Sequence, residues 1–105
     1  MNKIHLYSKM FSDEEQSVFH LNYFLLIRSA EQGQTFGVAV QKTDASDIAE
    51  EEAAEGLFED REAAETFLFR LAEGLAMPVE LLALCDDYIS EREFPEKQKM
   101  EQAAS

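Results

Sequence analysis

Two histidines, His5 and His20, one cysteine, Cys85, and the adjacent aspartates Asp86 and Asp87 are the groups in this chain best suited to chemistry. A metal site or an acid–base dyad would need the imidazoles to converge with the thiol or with a carboxylate. No HxxxH, CxxC or HExxH spacing brings them together on one element. Cys85 lies on the apolar stripe of a helical segment, where a free cysteine behaves as a small hydrophobe. A reactive thiol needs cationic surroundings, and the two aspartates that follow would instead raise its pKa. The acidic run "DASDIAEEEAAEG", residues 44–56, lacks the order of oxygen ligands and turning glycine that a calcium loop needs. The four glycines are scattered, so no phosphate-cradling loop exists, and no serine stands in a GxSxG context. The expectation is a protein with no catalytic residues, no metal and no cofactor.

What remains is charge. The formal net charge is −13, and residues 45–105 hold nearly all of it. The stretch "DIAEEEAAEGLFEDRE", residues 47–62, has eight carboxylates and one arginine. Such a surface argues against direct contact with a nucleic-acid backbone or an anionic membrane. It suits a basic protein partner, whose encounter complementary charge would speed. The bland explanation is a solvated face that keeps a small domain soluble. Carboxylates spaced like phosphates, mimicking nucleic acid, are a further alternative.

The elements that position these groups follow from periodicity. "VFHLNYFLLIRS", residues 18–29, alternates as a strand, with Phe19, Leu21, Tyr23, Leu25 and Ile27 on one face. "TFGVAVQK", residues 35–42, resumes the alternation with Phe36, Val38 and Val40. Residues 30–34, "AEQGQ", predict a hairpin loop of four or five residues, with Gly33 able to take a positive φ. Gly37 and Ala39 share the opposite face, leaving a shallow place or a close contact there. Residues 43–52 read as a wide loop or a short helix, and residues 53–58 as a third strand of poor alternation. "EDREAAETFLFRLAEG" predicts a helix over residues 60–73, with Asp60 as its cap and Gly74 just past its end. "MPVELLALCDDYISE" predicts a second over residues 78–90, with Pro78 in the first turn. Residues 92–105 are polar and are expected to be a disordered tail. "KIHLYSK", near the start, is a candidate edge strand.

The fold expected is α+β: a small antiparallel β-meander of three strands, with the N-terminal segment as a candidate fourth, packed on two C-terminal helices in one domain over residues 1–91. Its expected core is Leu21, Tyr23, Leu25, Ile27, Phe36, Val38, Val40, Phe67, Leu68, Leu71, Leu82, Cys85 and Ile89. The sheet face carrying Val18, Phe24, Leu26 and Ala39 is expected to meet the N-terminal segment or a second copy. The opening residues have no continuous apolar stretch and no run is long enough to cross a bilayer, so the expected compartment is the cytoplasm.

In this order, "YFLLIRS", "TFGVAVQKT", an acidic spacer, "DREAAETFLFRLAEG" and "MPVELLALCDDYI" resemble a small family of uncharacterised proteins from clostridial and other Gram-positive bacteria, the domain of unknown function 6514. Tyr23, Gly37, Asp60, Arg61, Glu62, Pro78, Leu81, Asp87 and Tyr88 match its pattern over residues 21–91. Met77 stands where a capping serine is usual, Glu80 where a histidine is usual, and Phe36 where a tyrosine precedes Gly37. "EGLF" replaces the family's "EDIS". The resemblance implies a fold and an order of elements, and no reaction.

The function expected is a non-enzymatic interaction or regulatory module, acting through a protein partner or as a homodimer. Asp47, Glu50, Glu51, Glu52, Phe24 and Leu26 are its candidate contact residues. A pocket between sheet and helices, with Tyr23, His20 and Tyr88 converging on a small molecule, is the alternative from a different class.

Overall fold

A computed structural model describes residues 2–12, 14–44, 46 and 49–93 of the protein, the last three by their backbone alone. Four antiparallel strands neighbour one another in chain order: β1 (Asn2–Ser12), β2 (Val18–Ala30), β3 (Gly33–Thr43) and β4 (Ala49–Phe58). Two helices, α1 (Arg61–Glu73) and α2 (Pro78–Glu93), cover one face of this sheet. The α+β meander is as expected, with the N-terminal segment supplying the fourth strand. Residues 94–105, the rest of the expected tail, lie outside the described residues.

The centre of the sheet is regular because its sequence is. β2 and β3 pair without interruption from His20 opposite Thr43 to Ala30 opposite Gly33. Leu21, Tyr23 and Leu25, with Val38 and Val40, are fully enclosed beneath the helices. The turn between them is shorter than the expected loop. Only Glu31 and Gln32 lie outside the pairing, and Gly33 closes the turn at φ +125°, which side-chain-bearing residues avoid.

Both edge strands are irregular for a stated reason. In β1 the apolar positions change phase. Ile4 and Leu6 would fall on one face by strict alternation, Tyr7 and Phe11 on the other. The register shifts between His5 and Tyr7, and this bulge brings Ile4, Leu6, Tyr7 and Phe11 all against the core. In β4 the shift lies opposite Gly37: Ala54 is the partner of Val38, and Phe58 the partner of Phe36. Gly56 turns the extra residues at φ +66°. A Cβ on Gly37 would come within 2.2 Å of the Ala54 carbonyl oxygen. Of the two expectations for Gly37, close contact is the outcome. Residues 49–52, expected in a loop or short helix, belong to this strand.

α1 begins as the sequence predicts. The Asp60 side chain accepts the Ala63 N–H at 3.3 Å, and Glu62 occupies the first turn. Its end differs by one residue. Gly74 has an ordinary φ of −87°, and Leu75 takes the left-handed value of 52°. The Leu75 N–H donates to the Ala72 oxygen and the Ala76 N–H to the Leu71 oxygen, which is a Schellman closure built on a leucine. At the start of α2, Glu80 accepts the Met77 N–H at 3.0 Å. That is one half of a capping box, kept although Met77 replaces the usual capping serine.

The core departs from expectation on α2. Leu81 is fully buried and Leu82 is 52% exposed, so the inward stripe runs through Leu81 and Cys85, one residue earlier than the core set assumed. Ile89 is only half-buried. Phe58, Ala64, Ala72 and Ala76 join the core unannounced. The small alanines let the helices approach the sheet, and Phe58 ends a strand whose alternation its bulge hides.

Two outcomes follow for equilibrium urea unfolding. Gly37→Ala is expected to cost at least about 2 kcal/mol, since backbone rather than a flexible side chain occupies the space. Leu81→Ala is expected to cost about 3 kcal/mol, and Leu82→Ala less than about 1 kcal/mol. Equal costs at 81 and 82 would contradict the orientation of α2.

Candidate functional site

The groups with chemical potential do not assemble. By the strand register, His5 and His20 both lie on the open face of the sheet, opposite Phe24 and Met10 respectively. Cys85 is on the other side, in the core. His5 does meet a serine that spacing alone did not suggest. Its Nε2 is 2.8 Å from Ser8 Oγ and 3.0 Å from the Tyr7 carbonyl oxygen. Which of these contacts is a hydrogen bond depends on the imidazole tautomer. Ser8 Oγ donates to Asn22 Oδ1 at 2.9 Å, and Asn22 Nδ2 donates to Gln41 Oε1 at 3.3 Å. The result is a polar ladder across three strands rather than a nucleophile with its base. The signal for it was in the sequence only as shared parity on adjacent strands.

A second interaction crosses the same face. The Lys3 ammonium on β1 pairs with the Glu51 carboxylate on β4 and lies 4.4 Å from the centre of the Phe24 ring. Lys3 is opposite Leu26 in the register, so its stem runs over the middle of the sheet. Leu26 is 4% exposed and Ala39 is 1% exposed, although among the described residues no helix covers them. The N-terminal segment meets this face as β1 in the plane of the sheet, with Lys3 reaching across it and the His5 ring 5.1 Å from the Phe24 ring.

The expected contact residues therefore divide. Phe24, Leu26 and Glu51 share the open face, and Leu26 offers almost no surface there. Glu50 and Glu52, opposite Lys42 and Val40, turn toward the helical side. Asp47 lies outside the described residues. The alternative pocket does not form from its three expected residues. Tyr23 is buried and donates its hydroxyl to the Ala76 carbonyl at 3.0 Å, while His20 is on the opposite face. Tyr88 packs its ring on Phe58 and Phe67, each at a centroid distance of 5.1 Å.

The helical side holds a groove that the sequence did not announce. α1 and α2 lie on the same sheet face with their backbones apart, and side chains such as Phe67 and Tyr88 meet between them. Among the described residues no Cα of one comes within 8 Å of a Cα of the other. A hollow of about 420 Å³ opens between them over Phe67, Leu71 and Leu84. A second, of about 470 Å³, reaches toward the start of α1 past Asp60, Glu62 and Thr66. Phe67, Arg70 and Tyr88 border both. Glu80 and Asp87 flank the first hollow. Among the described residues no carboxylate lies within 4.0 Å of the Arg70 guanidinium.

Residues 2–91 match a family described as a family of unknown function, DUF6514. The chain belongs to the DUF6514 family. The match takes in β1, which the resemblance over residues 21–91 did not reach. Neither a curated protein nor a solved structure matches the chain. No helix among the described residues is long and apolar enough to cross a membrane.

Burial decides the protonation of the two enclosed acids. It pushes the Cys85 thiol up to about 11, with the Asp86 carboxylate adding to the effect. It pushes the Tyr23 hydroxyl up to about 12, helped by Glu80. Both groups hold their protons more tightly folded than unfolded. Their stabilisation is complete below about pH 9 and is lost as pH rises through the folded values. The urea midpoint is expected to fall from about pH 9 upward, and the loss between about pH 9 and 11 should shrink in Cys85→Ala. At neutral pH a thiol reagent should label Cys85 only at the rate of unfolding. Rapid labelling of the native chain would contradict its burial.

Proposed function

We propose that this member of the DUF6514 family is a non-enzymatic interaction module that docks a basic protein partner on its carboxylate-rich side. The observation that supports this most is the position of β4. It is an edge strand with Glu50, Glu51, Glu52 and Glu55 in ten residues and no basic side chain. The acidic start of α1, Glu59, Asp60 and Glu62, follows directly. Edge strands carry charge to discourage sheet growth, which explains some carboxylates. A run this dense and of one sign also sets up a field that attracts a positively charged surface. The separation of His5, His20 and Cys85 leaves no catalytic reading of comparable support. Self-association through the open face has less, because Lys3 and Glu51 already cover its apolar centre. The single buried thiol fits a cytoplasmic setting.

The test uses the whole chain as bait, beside a Glu50→Gln/Glu52→Gln/Glu55→Gln variant that spares the Lys3–Glu51 pair. A stoichiometric basic partner is expected at low salt, released at high salt and lost with the variant. Light scattering of the chain alone should report a monomer under both conditions. Capture that is indifferent to both salt and the variant would overturn the proposal.

A further inference from the structure

β4 ends the sheet on one side, and its outer edge is free. Among the described residues no strand, loop or side chain hydrogen-bonds to the outward backbone groups of residues 49–54. We propose that an extended, basic segment of the partner adds here as a fifth strand, with lysine or arginine at every second position. The inference rests on the interaction-module reading and names the binding mode and the charge pattern of what docks.

Three observations carry it. First, the edge is regular where it is free. Residues 49–54 pair in unbroken register with residues 38–43 of β3, and the bulge comes only after them. In an antiparallel pair every second residue turns its N–H and C=O away from its partner, so this stretch offers a straight row of donors and acceptors. Bonding to such a row is how an extended peptide adds to a sheet. Second, the edge is accessible. Ala49, Glu50, Glu51 and Ala53 are exposed, and Glu52 and Ala54 are half-buried. Third, its charge selects the occupant. By the register, Glu50 and Glu52 are on the helical side of the sheet and Glu51 is on the open side. Lys3 already answers Glu51. Among the described residues no cation lies within 4.0 Å of the Glu50 or Glu52 carboxylate. Lys42, opposite Glu50, holds its ammonium over the Phe19 ring instead. The unanswered carboxylates are thus two residues apart on one face, which is the period of same-face side chains along a strand. A fifth strand with cations at that period would set them beside Glu50 and Glu52, and its intervening residue beside the Lys3–Glu51 pair. Opposite charges facing each other on neighbouring strands attract, and like charges repel, which bars the β4 edge of a second copy. The β1 edge is the contrast, with Lys3 and Lys9 and no carboxylate.

The test separates strand addition from plain charge attraction. The probe is a short, end-capped, fluorescein-labelled peptide that alternates lysine with threonine. A control groups the same lysines in one block. Two further peptides keep the alternating sequence and are N-methylated, one at the lysines and the other at the threonines. In an added strand only one of these two sets of amides faces β4. Binding to the full chain is read by anisotropy at low salt, and the site by hydrogen exchange of the protein amides. The alternating peptide is expected to bind more tightly than the blocked one. One methylated peptide should lose binding and the other keep it, and exchange should slow at every second amide of residues 49–54. Glu50→Gln and Glu52→Gln should each weaken binding about threefold, as one exposed charge contact does, with circular dichroism checking that each variant folds. Failure of the alternating peptide to bind, equal binding of the blocked peptide, or protection confined to residues outside 49–54 would overturn strand addition. So would loss of binding with both methylated peptides or with neither. Growth of the chain alone into larger species with concentration would make a second copy, joined through its β1 edge, the occupant, and would also overturn it. Capture of a basic partner that the triple β4 variant abolishes decides the broader proposal separately.

Discussion

Three rings hold the helical layer in place. Phe58 at the end of β4, Phe67 in the middle of α1 and Tyr88 near the end of α2 meet with centroids 5.1 to 5.6 Å apart, each pair tilted rather than stacked. Tilted aromatic pairs add about 0.5–1.5 kcal/mol beyond the area they bury. Their importance here is positional. The helix backbones stay apart, so this cluster and the sheet beneath it set where each helix lies. Asp60 follows Phe58 by two residues and caps α1, which fixes the helix start beside the ring it must meet. The buried Tyr23 hydroxyl on the Ala76 carbonyl ties the short connection between the helices down to the central strand.

The same arrangement leaves two hollows beside the Phe67–Tyr88 contact. Had the helices packed ridge into groove, Arg70 and Asp87 would have found partners across a closed interface. Between the helices it is side chains such as Phe67 and Tyr88 that meet, and Arg70 and Asp87 stay exposed. The fold thus separates two roles that one helix pair often combines: closing the core, and presenting a surface.

How much of this the sequence disclosed depended on regularity. β2 and β3 were legible because Leu21, Tyr23, Leu25, Val38 and Val40 keep strict parity. The edge strands were legible only in part, as the candidate strand "KIHLYSK" and a poorly alternating strand over residues 53–58, since each contains a bulge, and a bulge erases the period on which strand recognition rests. The Leu81–Leu82 pair gave two nearly equal apolar stripes, and only packing on β4 chose between them. For the candidate site, the sequence disclosed the acidic half of the chain and the lack of a ligand motif. It could not disclose Lys3 reaching Glu51, for which no local spacing exists, nor a gap between helices, which is a matter of distance rather than pattern.

The Lys3–Glu51 pair links the first strand to the fourth across 48 positions of chain. It can form only after three successive hairpin pairings have closed, each with its own loop entropy to overcome. An interaction absent from a folding transition state bears on how fast a chain opens rather than on how fast it forms. The clasp over the open face ties the two edges of the sheet together through one exposed ion pair, whose strength water and salt keep small.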